Sequence, residues 1–198
     1  MVNAVTGTLI LLVAFSGCTS PPKNFPRADI NPEVQGTMTD PQSSEAATLD
    51  KVPVNMSVSS FEFEGYTVGK SHVGTFKDME AYLNYNGSEL AGFEGIIKAA
   101  SVDTGIPGLD NHLKSADFFD VKLYPDIIFR TMRIITADDG SKTAKGVLRF
   151  HGVENGIIFP VEVDIDFVKA DFVLDTSPYN MRFAGVNKEV RIGFRFSR

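Results

Sequence analysis

SVDTGIPGLDNHLKSADFFDVKLYPDIIF, residues 101–129, is the most heavily punctuated part of this chain, and its reading sets how the rest is arranged. Asp103-Thr104-Gly105 places an Asx-type side chain before a glycine free to take positive φ, which stops and turns a strand ending near Val102. Asp110 is positioned to cap the free amides of a short helix through His112 and Lys114, and Ser115 or Asp117 to cap a further turn carrying Phe118 and Phe119. Two adjacent aromatics then lie against something apolar. Pro125 biases Tyr124 toward extended backbone, so the chain re-enters a strand at Ile127-Ile128-Phe129. The stretch reads as a strand, a short helical lid over 108–120, and a strand.

On either side of it, alternation with period two dominates. From Ile157 to Val168 the odd positions Ile157, Phe159, Val161, Val163, Ile165 and Phe167 are apolar, while Glu162, Asp164 and Asp166 take even ones. One face of such a strand is dry and the other wet. Val190, Ile192, Phe194 and Phe196 alternate with Arg191, Gly193 and Arg195, and Phe61 and Phe63 with Glu62 and Glu64. Further strands are expected over Phe76 to Tyr85, Phe93 to Val102, Ile127 to Thr136 and Thr143 to His151, with turns at Asn86-Gly87, Asp139-Gly140 and Asn155-Gly156. No long helical period is present. Such a set of half-dry antiparallel strands closes as a barrel or packs as a two-sheet sandwich. The chain has 16 Phe and no Trp, and its phenylalanines recur on the dry faces. Inward rings fill a solid core or line a tunnel, and patterning alone does not choose.

The punctuation also resembles a family signature. Ser101, Val102, Asp103, Thr104 and Gly105, then Asp110, His112, Leu113, Lys114 and Ser115, then Asp117, Phe118, Phe119, Tyr124 and Pro125 match the pattern of the YceI-like polyisoprenoid-binding proteins. The resemblance extends over Phe61-Glu62-Phe63, Gly69 to Phe76 with His72, Gly146 to Gly152, and Pro160-Val161. In Phe172 to Tyr179, FVLDTSPY, it is weaker, with Asp175 keeping an acidic position. The resemblance implies an all-β fold, an antiparallel lipocalin-like barrel of about eight strands with an elongated apolar cavity. It places an apolar tunnel and lid at Phe61, Phe63, Phe76, Phe93, Ile97, Phe118, Phe119, Phe129, Phe150, Phe159, Val161, Val163 and Ile165, with His72, Asp110 and His112 as polar groups at the tunnel mouth. The implied ligand is a polyisoprenoid, a quinone-like lipid or a fatty-acyl amphiphile, with no covalent cofactor.

The N-terminus points to export. Ala4 to Gly17 is apolar, shorter than the roughly 20 residues a bilayer-spanning helix needs, and ends in small residues before Cys18. This reads as a signal peptide over 1–18. Phe15-Ser16-Gly17-Cys18 resembles the bacterial lipobox, which makes Cys18 the lipid-attachment site and the membrane a partner. Ordinary secretion is the alternative. With a single cysteine, neither an internal disulfide nor a cysteine metal cluster can form. From 19 to 51 the composition turns to Pro, Ser, Thr, Asp and Asn, with Pro21, Pro22, Pro26, Pro32 and Pro41, and reads as a disordered tether reaching roughly 30 Å. The barrel domain is expected over 52–198.

Function classes narrow accordingly. A net charge of -6 with 22% charged residues argues against a nucleic-acid surface, and the arginines are scattered among acidic neighbours. His72, His112 and His151 lack metal-ligand spacing, and no Gly-x-Ser-x-Gly elbow is present. The chain reads as a binding protein of the bacterial envelope, not an enzyme, with a homodimer as a further assembly to test. The competing reading is a solid-core structural or partner-binding lipoprotein, and the two differ in cavity volume.

Overall fold

The computed structural model describes residues 20–31, 49–181 and 186–198. Twelve strands account for most of it: β1 (Asp29–Asn31), β2 (Asp50–Pro53), β3 (Ser60–Thr67), β4 (Lys70–Phe76), β5 (Met79–Asn86), β6 (Glu89–Lys98), β7 (Val102–Asp103), β8 (Asp126–Thr136), β9 (Lys142–Phe150), β10 (Val153–Val163), β11 (Phe167–Asp175) and β12 (Val186–Ser197). One α-helix, α1 (Pro107–Lys114), lies between β7 and β8. The ladder runs β2-β5-β6-β8-β9-β10-β11-β12-β3-β4-β7, antiparallel throughout. The expected all-β, antiparallel, lipocalin-like architecture is the one observed.

Alternation drives the curl. Phe194 pairs with Phe61 and Ile192 with Phe63, so two strands present their apolar side chains to the same interior. Gly146 on β9 leaves room for a neighbour: a Cβ there would meet the Phe129 ring at 2.6 Å and the Arg130 carbonyl at 2.5 Å. The two ends of the sheet then meet at corners. β7 follows β6 through a 3-10 turn and pairs with β4, and the amide of Lys77 donates to Ser101 O at 3.0 Å. On the other side Asn55 N donates to Ser197 O at 2.7 Å, and Val54 N to Ala81 O at 2.9 Å. At that end Tyr85 donates its hydroxyl to Ile165 O at 2.7 Å, which closes the barrel floor.

The structure revises several sequence-based boundaries. The run Ile157 to Val168 is not one strand: β10 stops at Val163, Asp164 to Asp166 turn, and β11 begins at Phe167. The odd-numbered apolar run continues in sequence at Ile165 and Phe167, which hides the turn from a period count, although the buried face passes to Val168, Ala170 and Phe172 on β11. Likewise Lys77-Asp78 separates β4 from β5, and Ala99–Ser101 interrupts the run from Phe93 to Val102. Asn155-Gly156 is strand, paired with Leu148 and Val147, and the hairpin turns instead at His151-Gly152 with φ of 49° and 76°. Positive φ at both central residues is the geometry that suits a two-residue hairpin.

The tether expected over 19–51 is also revised where it is described. β10 and β11 share only two paired positions, Glu162 with Lys169 and Val163 with Val168, and then splay. Residues 26–31 lie in the gap. Asp29, Ile30 and Asn31 pair with Ile158, Ile157 and Gly156 of β10, while Ala28 N donates to Val173 O and Val173 N to Pro26 O, both at 2.8 Å. Ala28 and Ile30 pack against the core. Phe25 lies under the Arg191 guanidinium, 4.6 Å from its carbon, and Arg27 pairs with Glu189. Composition judged alone predicts disorder because the segment has no core of its own. It orders instead by adding a strand to open sheet edges. β2 likewise takes residues 50 and 51 onto β5.

Candidate functional site

The lid is built from the 101–129 stretch, with its polar residues used differently from the sequence reading. Pro107 is the first residue of α1, Ile106 precedes it, and no side chain caps the helix. Asp110 sits inside α1 and reaches back, accepting from Thr104 N at 2.8 Å and Thr104 Oγ1 at 2.7 Å. Asp103 accepts from Gly105 N at 3.2 Å and pairs with Lys77 at 2.7 Å, and that lysine holds its carboxyl below the ordinary aspartate value. These contacts tie the helix to the end of β7. After α1 the chain winds through turns, Phe119 N donating to Leu113 O at 2.9 Å, and so drives Phe118 and Phe119 inward.

Beneath the lid is a cavity of about 200 Å³. A water-sized site measures roughly 10–15 Å³ in these terms, so the space holds a chain segment rather than a stray solvent molecule. Its roof is Phe119 with Phe63, Phe76 and Phe150, whose ring centroids lie 5.8 to 6.5 Å from that of Phe119. Its floor is a second group of rings: Phe159 stacks on Phe172 at 4.2 Å, Phe194 on Phe196 at 4.7 Å, and Phe93 bridges to Phe129 and Phe194. Leu148, Ile157, Ile127 and Ile192 fill the walls between them. Among the described residues no charged side chain lines the space, and the polar side chains there are Thr176 and Asn187. Thr176 already donates to Lys188 O at 2.7 Å, and the Asn187 side chain accepts from Glu189 N at 2.9 Å.

The charges lie on the outer face. Arg191 is forked onto Asp171 at 2.8 and 2.6 Å, and these carboxylate bonds raise its pKa above the ordinary arginine value. An interior of rings inside a charged exterior can desolvate an apolar chain. Among the described residues no cluster of three metal-ligating side chains occurs.

Comparison with known proteins agrees with this architecture. The family model described as the YceI-like domain matches residues 34–197. The chain belongs to the YceI-like family. Among curated relatives, a UPF0312 protein of Pseudomonas putida is 33% identical over 88 residues, covering 43% of this chain and 46% of the relative. A Vibrio cholerae UPF0312 protein is 24% identical over 115 residues, 57% of this chain and 59% of the relative. The chain thus spans about half the length of the curated relatives it matches. Burkholderia cenocepacia BcnA superposes with a TM-score of 0.67 at 22% identity, covering 73% of this chain and 99% of that one. A polyisoprenoid binding domain from Saccharophagus degradans gives 0.56 at 12% identity, covering 75% and 98%. At such identities these likenesses establish the fold alone.

Within this YceI-like barrel, Phe61, Phe63, Phe76, Phe93, Ile97, Phe118, Phe119, Phe129, Phe150 and Phe159 all line the cavity. Val161, Val163 and Ile165 do not. Val161 and Val163 border a shallow cleft beside Pro26 and Ala170, below the Phe159–Phe172 stack, and Ile165 stands in the β10–β11 turn with 47% exposure. The polar mouth is redistributed too. His72 is half-buried on β4 opposite Gly65 and lies outside the lining set. Asp110 is committed to Thr104, and His112 sits on the outer surface of the lid, its ring edge-on to Phe118 at 4.9 Å and Nε2 3.6 Å from Asp117. Lining residues that the sequence reading did not assign to the site include Met79, Leu113, Ile127, Leu148 and Ile157, and from the β11–β12 wall Phe172, Leu174, Thr176, Val190, Ile192, Phe194 and Phe196. The alternation from Val190 to Phe196 was the signal that could have placed four of them.

Proposed function

We propose that this protein is a lipid-binding protein of the bacterial envelope that holds a long apolar chain, such as a polyisoprenoid, a quinone tail or a fatty-acyl group, in its barrel. The observation that carries this reading is the 200 Å³ space lined by rings and aliphatics, with no charged side chain among the described residues. Closing that space on itself would gain dispersion contacts, so a chain supplying those contacts is the natural occupant. Family membership and the likeness to a domain described as polyisoprenoid binding support the same reading. Storage, transport and stress response are the roles in which such a chain would be held.

Export and anchoring belong to the proposal as well. Cys18 and the leader lie outside the described residues, and their reading rests on the apolar run ending at Gly17-Cys18. Lipidation of Cys18 with more than one chain would hold the barrel at a membrane. Cys18→Ser should move the protein from the membrane fraction to the soluble one, and retention in the membrane would remove the anchor from the proposal. For the ligand, the protein is purified from a bacterial envelope and weighed intact by native mass spectrometry, then extracted with organic solvent. Expected is an adduct that dissociates into an apolar-chain lipid. A bare polypeptide mass from every envelope preparation, with no uptake of added isoprenoid, would favour the solid-core alternative.

A further inference from the structure

The size of the cavity limits what it can hold. Its volume is about 200 Å³, and one water-sized group occupies roughly 10–15 Å³ of such space. A methylene takes up about as much room as a water molecule, so the walls enclose about 13–20 carbons, methyl branches included. A length taken along the sheet gives the same answer. Val190, Ile192, Phe194 and Phe196 line the space from alternate positions of β12, a run of roughly 20 Å at the rise of about 3.3 Å per residue. An extended polypeptide advances about 3.3–3.6 Å for every three backbone bonds, and a hydrocarbon zigzag advances at about the same rate per bond. Roughly 20 Å of run therefore takes about 17 carbons in line.

One end of that run is stopped. Phe194 stacks on Phe196 at 4.7 Å, and the Tyr85 hydroxyl donates to Ile165 O at 2.7 Å across the barrel floor. The walls resist stretching, because widening them separates rings that pack on one another, from Phe159 on Phe172 at 4.2 Å to Phe119 on Phe150 at 6.0 Å. We propose that the barrel selects its ligand by length: it encloses a single apolar chain of about 13–20 carbons and leaves every further carbon in water. Such a chain is the tail of a common fatty acid or about three to four isoprene units. A diacyl lipid, or a polyprenol of many units, would be held by only part of one chain. This inference rests on the cavity taking an apolar chain, and it assigns the length of that chain.

The test is a homologous series of saturated carboxylates, from about 8 to about 24 carbons, titrated as monomers into the full chain by calorimetry. Up to the capacity each added carbon should tighten binding about fourfold, the equivalent of about 0.8 kcal/mol, and beyond it the affinity should level off. In wild type the break should fall between about 13 and 20 carbons. Gly65 borders the same space, and a Cβ there meets nothing within 4 Å. Gly65→Leu should therefore move the break shorter by about four carbons while the shortest chains bind as before. A break outside the wild-type range, or a gain that continues to the longest chain, would overturn the length limit and leave the lipid reading standing. So would a break that a folded Gly65→Leu protein leaves in place; if that variant does not fold, the wild-type break decides alone. Failure of wild type to bind any member of the series would overturn the limit and the lipid reading together.

Discussion

Gly65 offers the sharpest test of whether the cavity is space or packed core. It lies on β3 between Phe63 and Thr67, pairs with His72 and Val190, and borders the cavity. A Cβ added there meets nothing within 4 Å. Gly65→Leu therefore projects four carbons into the void. At about 0.8 kcal/mol per buried methylene the gain reaches roughly 3 kcal/mol. Ordering the side chain removes about 0.5–1 kcal/mol of it, and replacing a strand glycine returns a similar amount. A net stabilisation of about 2–3 kcal/mol would raise the melting temperature by roughly 4–10 °C in a domain of this size. The same leucine occupies the volume a ligand chain needs, so dye and isoprenoid binding should fall by tenfold or more. Gly146→Leu is the control, because its Cβ collides with a carbonyl and a ring, and it should destabilise by more than about 2 kcal/mol. Calorimetry and dye titration on both variants read the two quantities together. A Gly65→Leu protein that melts below wild type and binds chains unchanged would refute the reasoning.

Deleting residues 20–31 should lower the melting temperature by more than about 5 °C, since it removes the β1 ladder and the Ala28 and Ile30 core contacts; an unchanged melt would show that the segment contributes nothing to the wall. Phe119→Ala removes one ring that touches three others, and should cost about 2–4 kcal/mol while speeding release of a bound chain in stopped-flow displacement; unaltered release rates would take Phe119 out of the lid. Asp103 is lowered chiefly by its hydrogen bond with Lys77, so its stabilisation is complete above the ordinary aspartate value and is lost as pH falls through the lowered folded value. Hydrogen-exchange protection at Thr104 to Asp110, taken relative to the intrinsic rate at each pH, should therefore fall at acid pH in wild type and lose that dependence in Asp103→Asn.

The parts of the fold legible in the sequence were those set by local chemistry. Asp103-Thr104-Gly105, Pro125 and the alternating strands each encode their conformation within a few residues, and the roof and floor phenylalanines follow from that alternation. What escaped depended on partners distant in sequence. Asp110 resembles a helix cap until Thr104 is seen to hold its carboxylate. Ile165 and Phe167 continue the odd-numbered apolar run in sequence, yet after the turn the inward face passes to the even positions Val168, Ala170 and Phe172. Tyr179 and Asn155 meet only through the barrel, 24 residues apart, in a segment where the family pattern is weak. Phe25, Ala28 and Ile30 are too sparse to announce a strand, and they form one only because β10 and β11 part to receive them.

That parting bears on how copies of the chain behave toward one another. A slot that takes a short extended segment from its own chain presents the same donors and acceptors to the same segment from a neighbour. The covalent link raises the local concentration of the native segment and keeps the exchange internal at low protein concentration. At high concentration, or when local opening frees residues 26–31, reciprocal insertion between two copies would give a closed swapped dimer, and one-way insertion an open chain of barrels. The wall that completes the barrel is thus also its most direct route to self-association.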